Sequence, residues 1–324
     1  MSHILVCGGA GYVGSHMVKC LNIAGHHVTV FDNLSTGHRA AVRGAELVEG
    51  DVLDRDALER LFANRHIDAV MHFAAVSLVG ESVRDPYLYY RNNVVGSLNL
   101  LEAMTRAGVN GLVFSSTAAV YGLPEQSPIF ETQRLEPINP YGASKVMVER
   151  LLKDAAVAYG LRSATLRYFN AAGADPSGEI GESHTPETHL IPNVLKAALG
   201  DSTVSIFGSD YATRDGTCVR DYVHVDDLAR AHLLALDYIQ TNEGAHYFNL
   251  GNGKGFSVLE IIEAARRVTG KQIICQTLPR RAGDPPVLVA SNEKARHLLG
   301  WNPTFDGMDM IIETAWRWHR NSCY

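Results

Sequence analysis

Cysteine is scarce in this 324-residue chain, and the five that occur (Cys7, Cys20, Cys218, Cys275, Cys323) are odd in number, scattered and without a C-x-x-C pair. That pattern excludes a disulfide framework or a thiolate zinc site, and it predicts reduced thiols and no bound metal. Long apolar runs are lacking too. The first residues enter a strand directly at His3-Ile4-Leu5-Val6-Cys7, with no basic segment leading into a long apolar stretch, so the expectation is a soluble, cytoplasmic protein with no membrane partner. There is no block of Lys or Arg, and the formal charge is −6 with a pI near 6.1. A nucleic-acid partner is therefore excluded, and an anionic small substrate would need a few local arginines. Neither an internal repeat nor a low-complexity linker interrupts the chain.

What the sequence does have is a hydrophobic content of 46%, enough for a substantial core in one large or two moderate units. Short apolar runs alternate with helical patterns through the first half. Strands are expected at Ile4–Cys7, Val28–Phe31, Glu46–Val48, Ala69–Ala74, Leu112–Ser115 and Ala164–Phe169. Helices are expected at Gly14–Ala24, Arg55–Asn64 with Asp54 as cap, Asn93–Ala107 closed by Gly108, and Tyr141–Tyr159 closed by Gly160. The rhythm predicts an α/β protein, a Rossmann-like doubly wound parallel sheet with a smaller mixed α/β substrate lobe. After Phe169 a loop-rich stretch to Glu187 breaks the pattern. Helices near 190–199, 226–238, 258–268 and 308–318 and strands at 204–207 and 247–250 follow. The expected division is residues 1–169 as dinucleotide-binding domain, with 218–250 returning to it, and 170–217 plus 251–324 as substrate lobe.

The loop Gly8-Gly9-Ala10-Gly11-Tyr12-Val13-Gly14 follows the first strand and opens a helix. Glycines there allow a tight turn, close approach of backbone N–H groups to a pyrophosphate, and a helix N-terminus aimed at its charge. Asp32 ends the next apolar run about 20 residues on, as the dinucleotide fingerprint requires. A carboxylate at that point can accept from both ribose hydroxyls and repels a 2′-phosphate, which favours NAD over NADP; Arg39 is the one nearby cation that could serve a phosphate. Asp51 fits the adenine end, or simply the turn before a helix.

Tyr141 and Lys145 are four apart in a helical pattern and so share a face. A phenol has a pKa near 10, but a neighbouring cation and a positive nicotinamide ring bring it toward the range of a general base. Ser115-Ser116-Thr117 ends a strand, and the Thr117 hydroxyl can bond the same substrate hydroxyl.

These segments resemble the extended short-chain dehydrogenase/reductases, and within them the UDP-glucose 4-epimerases, over essentially the whole chain. The similar stretches are GGAGYVGSH (Gly8 to His16), FDNLSTG (Phe31 to Gly37), HFAAVSLVGES (His72 to Ser82), FSSTAAVYG (Phe114 to Gly122), PYGASK (Pro140 to Lys145), LRYFNAAGA (Leu166 to Ala174), IFGSDYATRDGTCVRDYVHVDDLA (Ile206 to Ala229) and RRAGDPP (Arg280 to Pro286). The resemblance implies a retained NAD and epimerisation of a UDP-hexose, UDP-galactose to UDP-glucose, through a 4-keto sugar, with Thr117, Tyr141 and Lys145 catalytic. It also implies a homodimer built on the helices at 93–107 and 141–159.

Carried over by position, Gly8, Gly11, Tyr12, Val13, Gly14, Asp32, Asn33, Leu34, Ser35, Thr36, Gly37, Asp51, Val52, Phe73, Ala74, Ala75, Ser77, Asn92, Lys145 and Phe169 would touch NAD, alongside Thr117 and Tyr141. Thr117, Tyr141 and Asn170 would meet the hexose or its phosphate. His189, Leu190, Ser205, Ile206, Phe207, Arg220, Arg281 and Asp284 would hold UDP; two arginines suit a diphosphate and Phe207 offers uracil an apolar wall. Arg220 could instead make an interlobe salt bridge, and His189 a cap or a structural contact. The chain departs from the family at three points. Ser77 stands where members carry a lysine, Thr188-His189-Leu190 replaces Asn-Asn-Leu, and Leu288 replaces a Tyr that narrows the sugar pocket in some members. Leu288 leaves N-acetylated sugars, such as UDP-N-acetylglucosamine, open as substrates beside UDP-glucose and UDP-pentoses.

Two other readings are disfavoured. Nucleotide-sugar dehydratases and decarboxylases need a carboxylate directly after the Ser-Thr, where this chain has Ala118 and Ala119. Non-catalytic dinucleotide sensors lack the Tyr/Lys pair.

Overall fold

Val, Ile and Leu dominate the first strand because both of its faces are covered, and this sets the architecture. A computed structural model describes residues 1–281 and 284–324; residues 282 and 283, inside the Arg280–Pro286 stretch, lie outside the described part. The first unit runs β1 (His3–Cys7), α1 (Tyr12–Ile23), β2 (His27–Asp32), β3 (Glu46–Glu49), α2 (Arg55–Ala63), β4 (Ala69–His72), α3 (Val79–Arg84), α4 (Pro86–Tyr89), α5 (Gly96–Ala107), β5 (Gly111–Thr117), α6 (Pro140–Tyr159) and β6 (Arg162–Tyr168). There follow β7 (Asn170–Ala172), α7 (Leu190–Leu199), β8 (Val204–Phe207), β9 (Val219–Arg220), β10 (Tyr222–His224), α8 (Val225–Thr241) and β11 (Ala245–Leu250). The chain closes with β12 (Phe256–Ser257), α9 (Val258–Thr269), β13 (Cys275–Leu278), β14 (Val287–Leu288), α10 (Glu293–Leu299) and α11 (Met308–Arg320).

Seven strands form one parallel sheet in the order β11-β6-β5-β4-β1-β2-β3. The six strands read from the first half of the sequence are all in it, and β11, the strand expected at 247–250, returns to pair with β6. Helices α1 and α8 cover one face, where Met17, Val18 and Leu21 meet Leu228, Ala235 and Ile239. Helices α2, α5 and α6 cover the other, through Leu58, Leu61, Leu100, Met104, Val148 and Leu152. Each such fully buried side chain contributes about 1.5–3 kcal/mol. A separate cluster from α7, β8, α9 and α11 forms the core of the remaining chain, around Val194, Ile206, Ile262 and Ile312. The strand order reverses between β1 and β4, which opens a crevice at their carboxyl ends.

Two elements differ from the sequence reading. The helix expected at 93–107 begins earlier: Asp85 accepts from Leu88 N at 3.2 Å, Pro86 takes the first turn, and residues Tyr90–Val95 form a π-helical segment before α5. Strand β4 ends at His72 instead of Ala74, because Phe73 N and Ala74 N both turn to the Cys7 carbonyl, at 2.8 and 3.0 Å.

Candidate active site

The glycine loop lies at the reversal point of the sheet. Gly8 has φ +81°, and a Cβ there would stand 2.4 Å from Ala74 N; a Cβ on Gly14 would stand 2.1 Å from Gly8 O. Gly11 is different, with its nearest neighbour, Gly8 O, at 3.5 Å. So Gly8 and Gly14 are required by the backbone's own packing, while Gly11 keeps an opening at the N-terminus of α1. Asp32, 7% exposed, accepts from Ala10 N at 2.9 Å and from Leu34 N at 2.8 Å. Burial pushes its carboxyl up, and those two amides pull it back. Leu34 takes φ +58°, so the turn Asn33–Gly37 folds back over the loop, with His38 N donating to Ala10 O at 2.9 Å.

Asp51 accepts from Asn33 Nδ2 at 2.9 Å and from Leu53 N at 2.8 Å, so it joins two turns beside this seat and is more than a helix-preceding residue. Arg39, the nearby cation that could serve a phosphate, pairs with Glu49 on the surface. Val52 is a core side chain, packed with Leu58 and Leu101. The loop after β4, carrying Phe73, Ala74, Ala75 and Ser77, is fixed by a residue the sequence reading passed over: Asn93 accepts from Val76 N and donates to Val76 O, each at 3.0 Å, and also donates to Ser144 Oγ at 3.0 Å. Asn92, its neighbour in the π segment, donates to Asn93 Oδ1 at 3.0 Å. The residues that fit a dinucleotide are thus together at the carboxyl ends of the central strands: an N-terminal helix mouth, a carboxylate and a pinned loop facing them.

Thr117 ends β5, and Asn139 caps α6 by accepting from Gly142 N at 2.9 Å, which starts the helix that presents Tyr141 and Lys145. Lys145 is 3% exposed and donates to the Ser115 carbonyl at 2.9 Å. Its Nζ lies 5.9 Å from the centre of the Tyr141 ring. Burial pushes the Lys145 ammonium down to about 7, and the Glu149 carboxylate one turn on opposes that. Burial likewise raises the Tyr141 phenol, while Thr117 bonds it and acts in the opposite sense. Tyr89 packs edge-on against Tyr141 at 6.4 Å between ring centres and is tied down through Leu78 O and Glu81.

Behind this row runs a buried network that spacing alone does not announce. Glu149 accepts from Ser116 Oγ at 2.6 Å and from Arg167 Nη2 at 2.6 Å, and Arg167 Nη1 donates to Tyr121 OH at 2.9 Å. The available signal was Glu149 itself, in line after Tyr141 and Lys145 at steps of four.

The residues expected to hold a nucleotide approach the same end of the sheet through β7, β9 and β14. Asn170 N and Nδ2 both donate to Asp221 O, at 3.0 and 2.8 Å. Leu288 pairs with Arg220 across β14 and β9, and it packs in the cluster of Phe169, Tyr121 and Ala290. Arg220 donates to Asp284 Oδ1 at 2.6 Å, so these two are partners of each other. On β8 the side chains of Ser205 and Phe207 are half-buried, whereas Ile206 points into the core. The Arg281 guanidinium lies 3.8 Å above the Phe207 ring, so one face of the proposed uracil wall carries a cation. His189 stands at the start of α7, just before Leu190, without capping it. Burial disfavours its charge, but Glu182 and Glu187 outweigh that and push its imidazolium up to about 10.

Among the described residues no helix is long and apolar enough to cross a membrane. The turn after Thr117 carries Ala118 and Ala119 in a short 3₁₀ segment, with Ala119 N donating to Thr117 Oγ at 3.1 Å. That is the point at which a dehydratase would place a carboxylate.

Comparison with known proteins agrees with this geometry. A UDP-glucose 4-epimerase of Lacticaseibacillus casei is 55% identical over 320 residues, covering 98% of this chain and 97% of that protein. The crystal structure of UDP-glucose 4-epimerase from Brucella ovis in complex with NAD superposes with a TM-score of 0.95 at 48% identity, covering 98% of each chain. The UDP-Glc/GlcNAc 4-epimerase of Campylobacter jejuni superposes with a TM-score of 0.87 at 43% identity, covering 99% of each. The fold is thus shared over its full length with an epimerase whose crystal structure holds NAD. With residues 4–251 also matching the model of that family, the chain belongs to the NAD dependent epimerase/dehydratase family.

Proposed function

We propose that the chain interconverts UDP-galactose and UDP-glucose by NAD-dependent 4-epimerisation, an isomerase reaction in which the sugar passes through a 4-keto form. Bound NAD supplies a reversible two-electron acceptor and a positive ring. Everything else is the work of side chains. Tyr141 Oη takes the proton of the 4-hydroxyl and later returns it; Thr117 Oγ orients that hydroxyl; Lys145, anchored on Ser115 O, stabilises the phenolate. The observation that carries the reading is the row formed by Thr117 at the end of β5 with Tyr141 and the buried Lys145 on α6, beside the sheet that also carries the Gly8–Gly14 loop. A site that holds UDP firmly and the hexose loosely lets the ketosugar turn over without leaving, since remote binding energy retains it.

In this reading 1–169 with 218–250 forms the cofactor unit and 170–217 with 251–324 the substrate lobe; Leu190 and Arg281 of that lobe and Arg220 of the returning segment hold UDP, while Asn170 meets the hexose or its phosphate. The five thiols are all unpaired, which suits a cytoplasmic enzyme of galactose metabolism. Leu288, beside Phe169 and Arg220, favours a second substrate, UDP-N-acetylglucosamine. The deciding experiment is incubation of purified protein with UDP-galactose and no added cofactor. Equilibration with UDP-glucose is expected; accumulation of an oxidised sugar, or an absolute need for added NAD, would overturn the proposal.

A further inference from the structure

The segment after β7 brings four side chains to one point. Glu182, His184, Glu187 and His189 each direct one ligating atom into a space where all four lie within 4.8 Å of one another. His189 Nδ1 is 2.6 Å from Glu182 Oε1 and 3.2 Å from Glu187 Oε1; His184 Nδ1 is 3.2 Å from Glu182 Oε1 and 3.8 Å from Glu187 Oε2. Ligand atoms around a tetrahedral ion with bonds of about 2.0–2.2 Å stand roughly 3.3–3.6 Å apart, a separation inside the span of these contacts. Both carboxylates are buried, with side chains 5% and 3% exposed. Among the described residues neither has a Lys or Arg partner, and the imidazoles of His184 and His189 are the basic groups that face them.

We propose that Glu182, His184, Glu187 and His189 form a binding site for one divalent transition-metal ion of the zinc class. A separate observation points to a ligand. His184 Nδ1 is buried and makes no hydrogen bond, although two carboxylates stand within 4 Å of it; its angles miss both. A neutral imidazole nitrogen aimed between two carboxylates is oriented for a cation and not for either oxygen. Two carboxylates and two neutral imidazoles around a divalent ion sum to zero charge, which removes the cost of the buried acids. Four protein ligands leave no open position, so the ion is structural.

Its place in the fold gives it a task. Glu182 O accepts from Trp318 Nε1 at 2.8 Å, and Glu187 Oε1 accepts from the backbone amides of Thr188 and His189, each at 2.8 Å. An ion here ties the loop 182–189 to the start of α7 and orients His189, whose Nε2 makes no hydrogen bond among the described residues. The spacing Glu-x-His-x-x-Glu-x-His lies within eight residues, so the site needs only that one loop to close.

The test uses untagged, NAD-loaded protein treated with chelator, dialysed and titrated with Zn²⁺ or Co²⁺. One ion per chain is expected, with the intense visible absorption of tetrahedral Co²⁺. His184→Ala and Glu187→Gln, each checked for retained NAD, should weaken binding beyond the ~10–100-fold that outer-shell changes cause. Wild-type protein that takes up no stoichiometric ion overturns the proposal. So does uptake that both variants keep, or a weak octahedral Co²⁺ spectrum.

Discussion

In the proposed mechanism the Tyr141 hydroxyl carries the proton, and the rest of the residue is packing. The ring packs edge-on against Tyr89 and within reach of Lys145, contacts that phenylalanine would keep. Tyr141→Phe is therefore expected to fold and retain NAD while losing the ~10²–10⁴-fold rate contribution of a general base. Turnover near wild type, measured with UDP-galactose, would remove Tyr141 from the mechanism. A second expectation concerns Leu288, which packs beside Phe169 next to Arg220. Leu288→Tyr adds volume to that pocket, and overpacking costs about 1–3 kcal/mol. The loss should fall on UDP-N-acetylglucosamine and spare UDP-glucose; equal losses in kcat/KM on both sugars would show that Leu288 does not gate the sugar. Arg220 and Asp284 were legible as nucleotide-binding candidates, but their mutual pairing was not, since 64 positions separate them.

At the scale of elements, the glycine loop separates two physical requirements that the sequence presents as one motif. Gly14→Ala places a methyl on Gly8 O and is expected to destabilise the fold and release NAD together. Gly11→Ala meets only a 3.5 Å neighbour, so it should leave the melting temperature of cofactor-free protein unchanged and reduce NAD retention alone. Parallel thermal denaturation and cofactor absorbance measurements would check both; a shared melting loss would show that the loop is packed more tightly at Gly11 than its geometry indicates. Strands β1, β2 and β8 stood out because continuous or alternating apolar runs announce them. Strands β7, β9, β10 and β14 did not, being two- or three-residue ladders fixed by partners distant in sequence. The π segment was missed for a related reason: Tyr90–Val95 has no breaker, and its extra residue per turn serves the placement of Asn93.

For the whole molecule, helices α5 and α6 lie side by side on one face of the sheet and leave Val95, Leu98 and Met147 exposed, at 45%, 39% and 45%. Leu101, three residues on from Leu98, is buried in the core at 7%. Pairing of these helices with their copies across a two-fold axis would cover the exposed set. Wild-type protein is expected to sediment as a dimer at micromolar concentration, and Leu98→Glu with Met147→Glu to sediment as a monomer. A monomeric wild type would discard the bundle.

Local sequence determined the sheet, the glycine seat, Asp32 and the Tyr141/Lys145 pair, because each rests on short-range periodicity or on spacing within one turn. Tertiary structure alone decided what surrounds them. Asn93 holds the loop after β4, and Arg167 supports Glu149 behind Lys145. The same holds for Glu182, His184, Glu187 and His189. In the sequence they are four polar residues in a loop of a chain whose cysteines exclude a thiolate site, and only the fold turns their ligating atoms toward one point. Burial is a property of the assembled layers, so the charges and bonds that depend on it cannot be read from neighbours in the chain.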